Sequence, residues 1–184
     1  MFEIKFVGRG GQGGKSAAQL LAEAAMEKGK HIQSFPEYGA ERQGAPVFAY
    51  TRIDDKEIRI HSGVTNPDVV VVLDPTLLDS IPVTQGLDEN GVVIVNTSKS
   101  ADEIKKIISF DNVYVIDATK ISVELFGKNI PNTPMLGAVA SVTDLVSLDV
   151  LKEKIRHKFE RKLGEEGVKK NLEAIERAYN EVSK

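Results

Sequence analysis

A dense group of glycines near the start of the chain constrains the fold more than any other feature. The sequence reads FEIKFVGRGGQGGK from Phe2 to Lys15, with five glycines among the seven residues 8–14. Glycine lacks a Cβ atom and tolerates positive φ, so a strand that runs into such a segment can turn tightly and expose backbone N–H groups. If a helix follows, those N–H groups and the helix dipole form a site for an anion, most often a phosphate. Three kinds of protein are built in this way.

The composition predicts one domain over residues 1–184, located in the cytoplasm. Hydrophobic residues make up 41% of the chain, which is enough for one well-packed core. The net charge of −3 argues against nucleic-acid binding, because that needs a basic face to displace counterions. No apolar run is long enough to span a membrane, and there is no N-terminal signal pattern. The chain has no cysteine, so it can supply no thiolate ligand for an iron–sulfur cluster.

The order of the periodic segments predicts an α/β fold, a three-layer Rossmann-like domain with a mostly parallel sheet. Alternating residues predict a strand over 2–6, and the glycines then open a helix over 15–28. A short strand over 31–35 follows. An inserted antiparallel hairpin is predicted from two alternating runs, 46–53 and 56–61, on either side of Asp54-Asp55. Continuous apolar runs predict central strands at 69–73, 91–95 and 112–116.

Helix signals are concentrated later in the chain. Ser100 and Glu103 form a capping-box pattern ahead of a short helix through Ile108. The C-terminal third is predicted to be helical, over 135–145, 148–163 and 168–182, with Gly164 and Gly167 between the last two segments.

One interpretation of the glycine segment is a P-loop. Gly14-Lys15-Ser16 reproduces the end of the G-x-x-x-x-G-K-S/T pattern, and Asp74, after a buried strand, is the nominal metal partner. Counting back from Gly14 puts Arg9 where the first glycine belongs, and Gly8 comes one residue too early. The spacing therefore argues against an ATPase or GTPase.

A second interpretation is a dinucleotide-binding fold, because Gly8, Gly10 and Gly13 match G-x-G-x-x-G between a strand and a helix. This pattern also needs an acidic residue about 20 residues further on to bind the ribose hydroxyls. Glu37 is the candidate, but we expect it in a loop, with Pro36 before it. The glycines could also serve only to let the strand and the helix pack closely.

Further blocks connect the glycine segment to one family across nearly the whole chain. The segment 36–46 reads PEYGAERQGAP, and Asn132 is followed by Met135-Leu136-Gly137-Ala138. With the glycine segment, Asn66-Pro67-Asp68 and the valine run to Leu73-Asp74, these residues resemble the gamma subunit of the pyruvate and 2-oxoacid:ferredoxin oxidoreductases. Two glycine-rich blocks at this spacing, plus the Met-Leu-Gly helix, are more specific than any one motif.

The resemblance implies a role inside a multi-subunit enzyme. Enzymes of this family decarboxylate a 2-oxoacid on thiamine diphosphate with Mg²⁺, pass electrons through iron–sulfur clusters to ferredoxin, and deliver the acyl group to coenzyme A. Pyruvate is the expected 2-oxoacid, and the expected partners are alpha, beta and delta subunits, with ferredoxin acting through the complex. This chain has neither cysteine nor a thiamine–magnesium motif, so we expect it to hold none of these cofactors and to be inactive alone.

The resemblance also implies that the glycine segment faces coenzyme A or a partner subunit. Coenzyme A carries a 3′-phosphate and a pyrophosphate, which backbone N–H groups, an arginine fork and a lysine can bind. The candidate contacts are Gly8, Arg9, Gly10, Gly11, Gln12, Gly13, Lys15, Tyr38 and Arg42. No residue is nominated as catalytic, and three scattered histidines predict no metal site. The alternative is a stand-alone Rossmann-type protein that binds a nucleotide or dinucleotide.

Overall fold

The described part of the chain contains one mixed sheet of six strands. The computed structural model describes residues 1–38 and 45–184, with Tyr38 through its backbone only. The strands are β1 (Phe2–Arg9), β2 (His31–Tyr38), β3 (Pro46–Asp54), β4 (Val69–Val72), β5 (Val92–Asn96) and β6 (Val113–Ile116). Their order in the sheet is β2-β3-β1-β4-β5-β6. β3 runs antiparallel to both of its neighbours, and the pairs β1–β4, β4–β5 and β5–β6 are parallel.

Five helices connect and cover these strands. They are α1 (Gly14–Met26), α2 (Ala101–Ile108), α3 (Ala118–Phe126), α4 (Asn132–Thr143) and α5 (Leu148–Glu181), and a short 3₁₀ turn spans Pro75–Leu77. The predicted capping box is present at α2, where the Ser100 hydroxyl and the Glu103 side chain each bond the other residue's backbone N–H. Gly164 interrupts α5 with φ of 66°, at the predicted separation of two helices. Among these described helices, none is long and apolar enough to cross a membrane.

Helices cover both faces of the sheet and give three layers. α1, α3, α4 and α5 pack on one face, whereas α2 and the 3₁₀ turn pack on the other. β4 illustrates the arrangement, because Val69 and Val71 point into the first layer of core and Val70 and Val72 into the second. A strand of valines buried on both faces is typical of parallel strands between helix layers. The predicted fold class is therefore confirmed.

The antiparallel hairpin is present, and its predicted arm 46–53 is confirmed as β3, but its other arm is β2 and not residues 56–61. β3 pairs with β2 on one side and with β1 on the other, so neither edge of β3 is left for residues 56–61. That segment forms no strand and instead presents carbonyl groups to Arg52. The Arg52 guanidinium is 2% exposed, and it donates to the Ile60 carbonyl at 3.4 Å and to the Gly63 carbonyl at 3.1 Å. A buried guanidinium needs such acceptors, which local alternation of residues does not reveal.

The end of β1 and the presence of α3 also differ from the sequence prediction. β1 continues through Gly8 and Arg9, which pair with β3, so the loop before α1 is shortened to residues 10–13. α3 was not predicted, although its signals are in the sequence. The Asp117 side chain accepts a hydrogen bond from the Lys120 N–H, and Gly127 ends the helix with φ of 67°.

Candidate functional site

The candidate site lies where the carboxyl ends of β1 and β4 meet. After β1 the chain passes through α1 to the β2–β3 side of the sheet, whereas after β4 it continues to β5 on the other side. Diverging connections leave a crevice at the ends of the strands, where open α/β sheets bind their ligands. The Leu73 N–H donates to the Val7 carbonyl at 2.8 Å, and this bond brings Asp74 beside the loop of residues 10–13.

The backbone of this loop is open and rich in donors. Gly13 is the N-cap of α1 with φ of 80°, and no side chain caps the helix. The N–H groups of the first helical turn therefore have no capping acceptor, and they point out of the helix end. A Cβ atom on Gly13 would lie 2.7 Å from the Asn132 side chain, whereas one on Gly10 would meet no atom of the described residues within 4 Å. Glycine is therefore required at position 13 by a close contact, and no described residue crowds position 10.

A hydrogen-bonded cluster around Asp74 holds the loop. Asp74 Oδ2 lies 3.2 Å from Arg9 Nε and accepts a hydrogen bond from Gln12 Nε2 at 2.8 Å. Asp74 Oδ1 accepts from the Thr76 N–H at 3.0 Å and from the Thr76 hydroxyl at 2.7 Å. Gln12 Oε1 accepts from the Arg9 N–H at 2.7 Å, and Arg9 Nη2 donates to the Thr76 hydroxyl at 3.1 Å. The cluster fastens the first strand to the segment after β4.

The environment of Asp74 keeps its carboxylate ionised. Burial by itself raises the pKa of the Asp74 carboxyl, but the bonds from Thr76 and Gln12 and the charge of Arg9 together hold that pKa below its ordinary value. An ionised carboxylate only accepts hydrogen bonds. Asp74 therefore takes four donors at neutral pH and neutralises the charge of Arg9.

The remaining candidate residues divide into three groups. An added Cβ atom on Gly10 or Gly11 would contact none of the described residues, and Gly8 lies in β1 against the Gln12 side chain. Lys15 is exposed in the first turn of α1 and forms no ion pair with a described residue. Tyr38 is the last residue of β2, and only its backbone is described. Arg42 lies outside the described residues. The structure thus brings the glycines, Gln12, Arg9 and Lys15 together at one edge of the sheet.

The acidic residue of the dinucleotide interpretation lies in a different place. Glu37 belongs to β2 rather than to a loop, and it accepts a hydrogen bond from the Tyr50 hydroxyl at 2.5 Å. β3 lies between β1 and β2, so the two strands are about 10 Å apart at two strand spacings. Glu37 is therefore not next to the end of β1, where a ribose-binding acid is needed.

A cavity of about 660 Å³ opens beyond Thr76, also at the carboxyl ends of the parallel strands. Asn96 at its floor is buried, and its Nδ2 donates to the Leu73 carbonyl at 2.8 Å and to the Thr119 hydroxyl at 2.9 Å. Two exposed apolar side chains, Ile107 and Val123, line its walls. The glycine loop itself does not line this cavity, and Thr76, which bonds Asp74 and Arg9, connects the two.

Sequence reasoning missed the roles of Asp74, Thr76 and Asn132 beside the loop. In the sequence, Asp74 is a nominal metal partner and the end of the valine run of the resemblance, and Asn132 is part of a motif. The available signal was the position of Asp74 directly after a buried strand, since carboxyl ends of parallel strands meet at one edge of a sheet. Nothing local shows that this strand lies next to β1.

The described residues offer no metal centre. In ranges 1–38 and 45–184, no three histidine, aspartate or glutamate side chains are grouped so that they could hold a metal ion. The fold and the loop together define a class of α/β protein. In this class, backbone N–H groups lie at the crevice where the connections after two neighbouring strands diverge.

Comparison with known proteins gives the family. The sequence model of pyruvate ferredoxin/flavodoxin oxidoreductase matches residues 3–181. The common gamma subunit of the pyruvate/ketoisovalerate oxidoreductases of Thermococcus kodakarensis is 51% identical over 182 residues, which cover 98% of this chain and 96% of that protein. The chain belongs to the pyruvate ferredoxin/flavodoxin oxidoreductase family, and it is a gamma-type subunit.

Solved structures agree with this assignment. The crystal structure of pyruvate oxidoreductase subunit PORC from Thermotoga maritima matches with a TM-score of 0.89 and 46% identity, over 99% of this chain and 97% of that one. A 2-oxoglutarate:ferredoxin oxidoreductase from Magnetococcus marinus, solved with 2-oxoglutarate, coenzyme A and succinyl-CoA bound, matches with a TM-score of 0.76 and 22% identity. This match covers 97% of our chain but 30% of that longer chain, and it supports the fold.

Proposed function

We propose that this chain is the gamma subunit of a pyruvate:ferredoxin oxidoreductase. The enzyme converts pyruvate, coenzyme A and oxidised ferredoxin to acetyl-CoA, CO₂ and reduced ferredoxin. The observation that carries the proposal is similarity over almost the full length to gamma-type subunits, with about half of the residues identical. A stand-alone nucleotide-binding protein is not favoured, because Glu37 is separated from the glycine loop by a whole strand.

The partners and cofactors of this reaction extend the proposal. Alpha, beta and delta subunits would complete the complex, and ferredoxin would dock on the assembly. Thiamine diphosphate, Mg²⁺ and the iron–sulfur clusters would belong to those other subunits, since a chain without cysteine has no thiolates for a cluster. We also propose that residues 1–184 form a single domain and act in the cytoplasm.

The specific contribution of this chain is an anion site that faces coenzyme A. The support is the uncapped N-terminus of α1, preceded by Gly10 and Gly11, where an added Cβ atom would meet no described atom within 4 Å. Such a helix end favours phosphate through its N–H groups and its dipole. Lys15 adds a positive charge in the first turn, and Arg9 is fixed beside the loop. Tyr38 and Arg42 remain candidate contacts from the second block.

Gly10 allows a direct test of this contribution. Its φ is not positive, and a side chain there would meet no other atom of the described structure. A Gly10→Val variant should therefore fold normally and place two methyl groups where a phosphate would approach. We expect isothermal titration of coenzyme A into the assembled complex to show affinity about tenfold weaker, or about 1.4 kcal/mol.

Gly63→Val is the matched control. Gly63 also borders open space without a positive φ, but it lies in the segment that covers Arg52. Its variant should bind coenzyme A with unchanged affinity. If Gly10→Val also left the affinity unchanged, the loop would not face coenzyme A.

A further inference from the structure

Gln12 lies between two groups that fix its amide in one orientation. The Arg9 N–H is a backbone donor, so the atom that faces it must be the acceptor Oε1 of Gln12. The amide nitrogen Nε2 then faces Asp74, whose ionised carboxylate accepts it at 2.8 Å. One orientation of the Gln12 amide can form both hydrogen bonds only if residue 74 is an acceptor.

The neighbouring residues leave room for this arrangement and hold Asp74 in place. A Cβ atom on Gly8 would lie 3.1 Å from Gln12 Oε1, so the absence of a side chain lets the amide lie across the end of β1. Thr76 occupies Asp74 Oδ1 with two donors. The other oxygen, Oδ2, is left to receive both Gln12 and Arg9.

We propose that Asp74 and Gln12 are positioning residues that set the orientation of the glycine loop for coenzyme A. The inference rests on the proposed function, since it assumes that the loop of residues 10–13 faces that substrate. The two residues are 62 positions apart and join the ends of β1 and β4 across the crevice. Asp74 acts through Gln12 and Arg9 and does not itself contact the ligand.

The donor and acceptor groups of Gln12 and Asp74 predict the effect of exchanging the amide and the carboxylate between the two positions. In Asp74→Asn, one carboxylate oxygen becomes an amide nitrogen, which then faces a donor whichever way the amide turns, either the Thr76 N–H or Gln12. In Gln12→Glu, two carboxylates face each other at hydrogen-bond distance, which is unfavourable for both charges. In the double variant, the amide introduced at position 74 donates to the carboxylate introduced at position 12, and the other oxygen of that carboxylate accepts from the Arg9 N–H. The Arg9 Nε–H loses its acceptor at position 74, so the guanidinium has to turn to the new carboxylate at position 12, and we expect the rescue to be partial. The double variant also keeps the net charge of the cluster.

The test measures the reconstituted enzyme complex with saturating pyruvate and ferredoxin. We expect each single variant to raise KM for coenzyme A about tenfold while kcat changes less than about twofold. We expect the double variant to bring KM back to within about threefold of the wild type. Deuterium uptake by residues 9–16 in the same complexes should rise in each single variant and fall again in the double variant. Asp111→Asn, an exposed position before β6 at the opposite edge of the sheet, is the control and should change neither quantity.

The outcomes separate this inference from the proposed function. If Gly10→Val raises KM for coenzyme A but Asp74→Asn and Gln12→Glu do not, the loop faces the substrate and the positioning role is wrong. A double variant no better than the worse single variant also overturns the inference. If Gly10→Val leaves KM for coenzyme A unchanged, the proposed role of the loop fails and the inference fails with it.

Discussion

Tyr50 lies in β3 among charged and aromatic neighbours on the sheet face away from α1. Its hydroxyl donates to Glu37 Oε2 at 2.5 Å, and its ring centroid lies 5.2 Å from that of Phe35. Burial raises the pKa of the Tyr50 hydroxyl, and the bond to Glu37 raises it further. Lys5 is paired with Tyr50 across the strands, and burial lowers the pKa of its ammonium group. These shifts have opposite consequences for stability at alkaline pH.

The raised pKa of Tyr50 predicts a loss of stability above about pH 10. There the unfolded chain releases the Tyr50 proton while the folded chain keeps it, so the free energy of unfolding falls as pH rises. The lowered pKa of Lys5 acts with the opposite sign, because below about pH 10.4 the folded chain releases a proton that the unfolded chain still holds. A Tyr50→Phe variant removes only the first effect. Its free energy of unfolding, measured by urea denaturation between about pH 9 and 11.5, should fall less steeply than that of the wild type.

Tyr179→Phe is the control for the loss of a tyrosine hydroxyl, because that hydroxyl bonds no described residue. Parallel stability curves for Tyr50→Phe and the wild type above about pH 10 would contradict the assignment of this proton to Tyr50.

At the scale of elements, α4 and α5 pack backbone against backbone. A Cβ atom on Gly137 in α4 would lie 2.1 Å from the carbonyl oxygen of Ile175 in α5. Met135, Leu136 and Ala138 around this point are buried in the core, so the helices cannot separate without exposing apolar surface. The Met-Leu-Gly motif seen in the sequence is therefore explained by close helix packing.

Gly137→Ala should destabilise the protein although it increases helix propensity. In an exposed helix this exchange stabilises by about 1 kcal/mol, but here the added methyl group overlaps backbone atoms that cannot rotate away. Overpacking of this kind costs about 1–3 kcal/mol or more. For a chain of this size we expect a fall in Tm of about 4–10 °C by calorimetry. Gly63→Ala, at an open position, should leave Tm nearly unchanged, and a raised Tm for Gly137→Ala would refute the close packing.

At the scale of the whole molecule, the chain has a ligand-sized site at the carboxyl ends of its parallel strands. The glycine loop, Asp74 and the cavity beyond Thr76 share one edge of the sheet. The chain has no cysteine, and its described residues hold no metal-binding group. Under the proposed function, thiolate-ligated iron–sulfur clusters would therefore belong to other subunits.

The purified chain should therefore be inactive by itself. We expect no pyruvate-dependent reduction of ferredoxin with the isolated chain, even after addition of thiamine diphosphate and Mg²⁺, because no residue here can bind an iron–sulfur cluster through sulfur. Adding the chain to a preparation of the other subunits should restore turnover in an absorbance assay of ferredoxin reduction. Turnover by the isolated chain would contradict the division of labour.

Local sequence patterns predict most of the helices and strands but not which strands pair with each other. The valine run and the capping box at Ser100 were assigned correctly, because burial on both faces and helix capping leave signatures within a few residues. The second arm of the hairpin is predicted wrongly, because alternation over 56–61 looks like a strand whether or not a partner strand is available. Pairing depends on which edge is left open, and that is a property of the assembled sheet.

Residue types and their spacing are enough to predict that a strand, a turn of glycines and a helix follow one another, and that the chain can hold no thiolate-ligated cluster. These features depend on residue type and on spacing over a few positions. Only the tertiary structure decided that Asp74, 62 residues away, completes the glycine loop through Gln12 and that Glu37 does not. The physical reason is that β4 pairs directly with β1, whereas β3 separates β2 from it, and long-range strand order is not written in any local pattern.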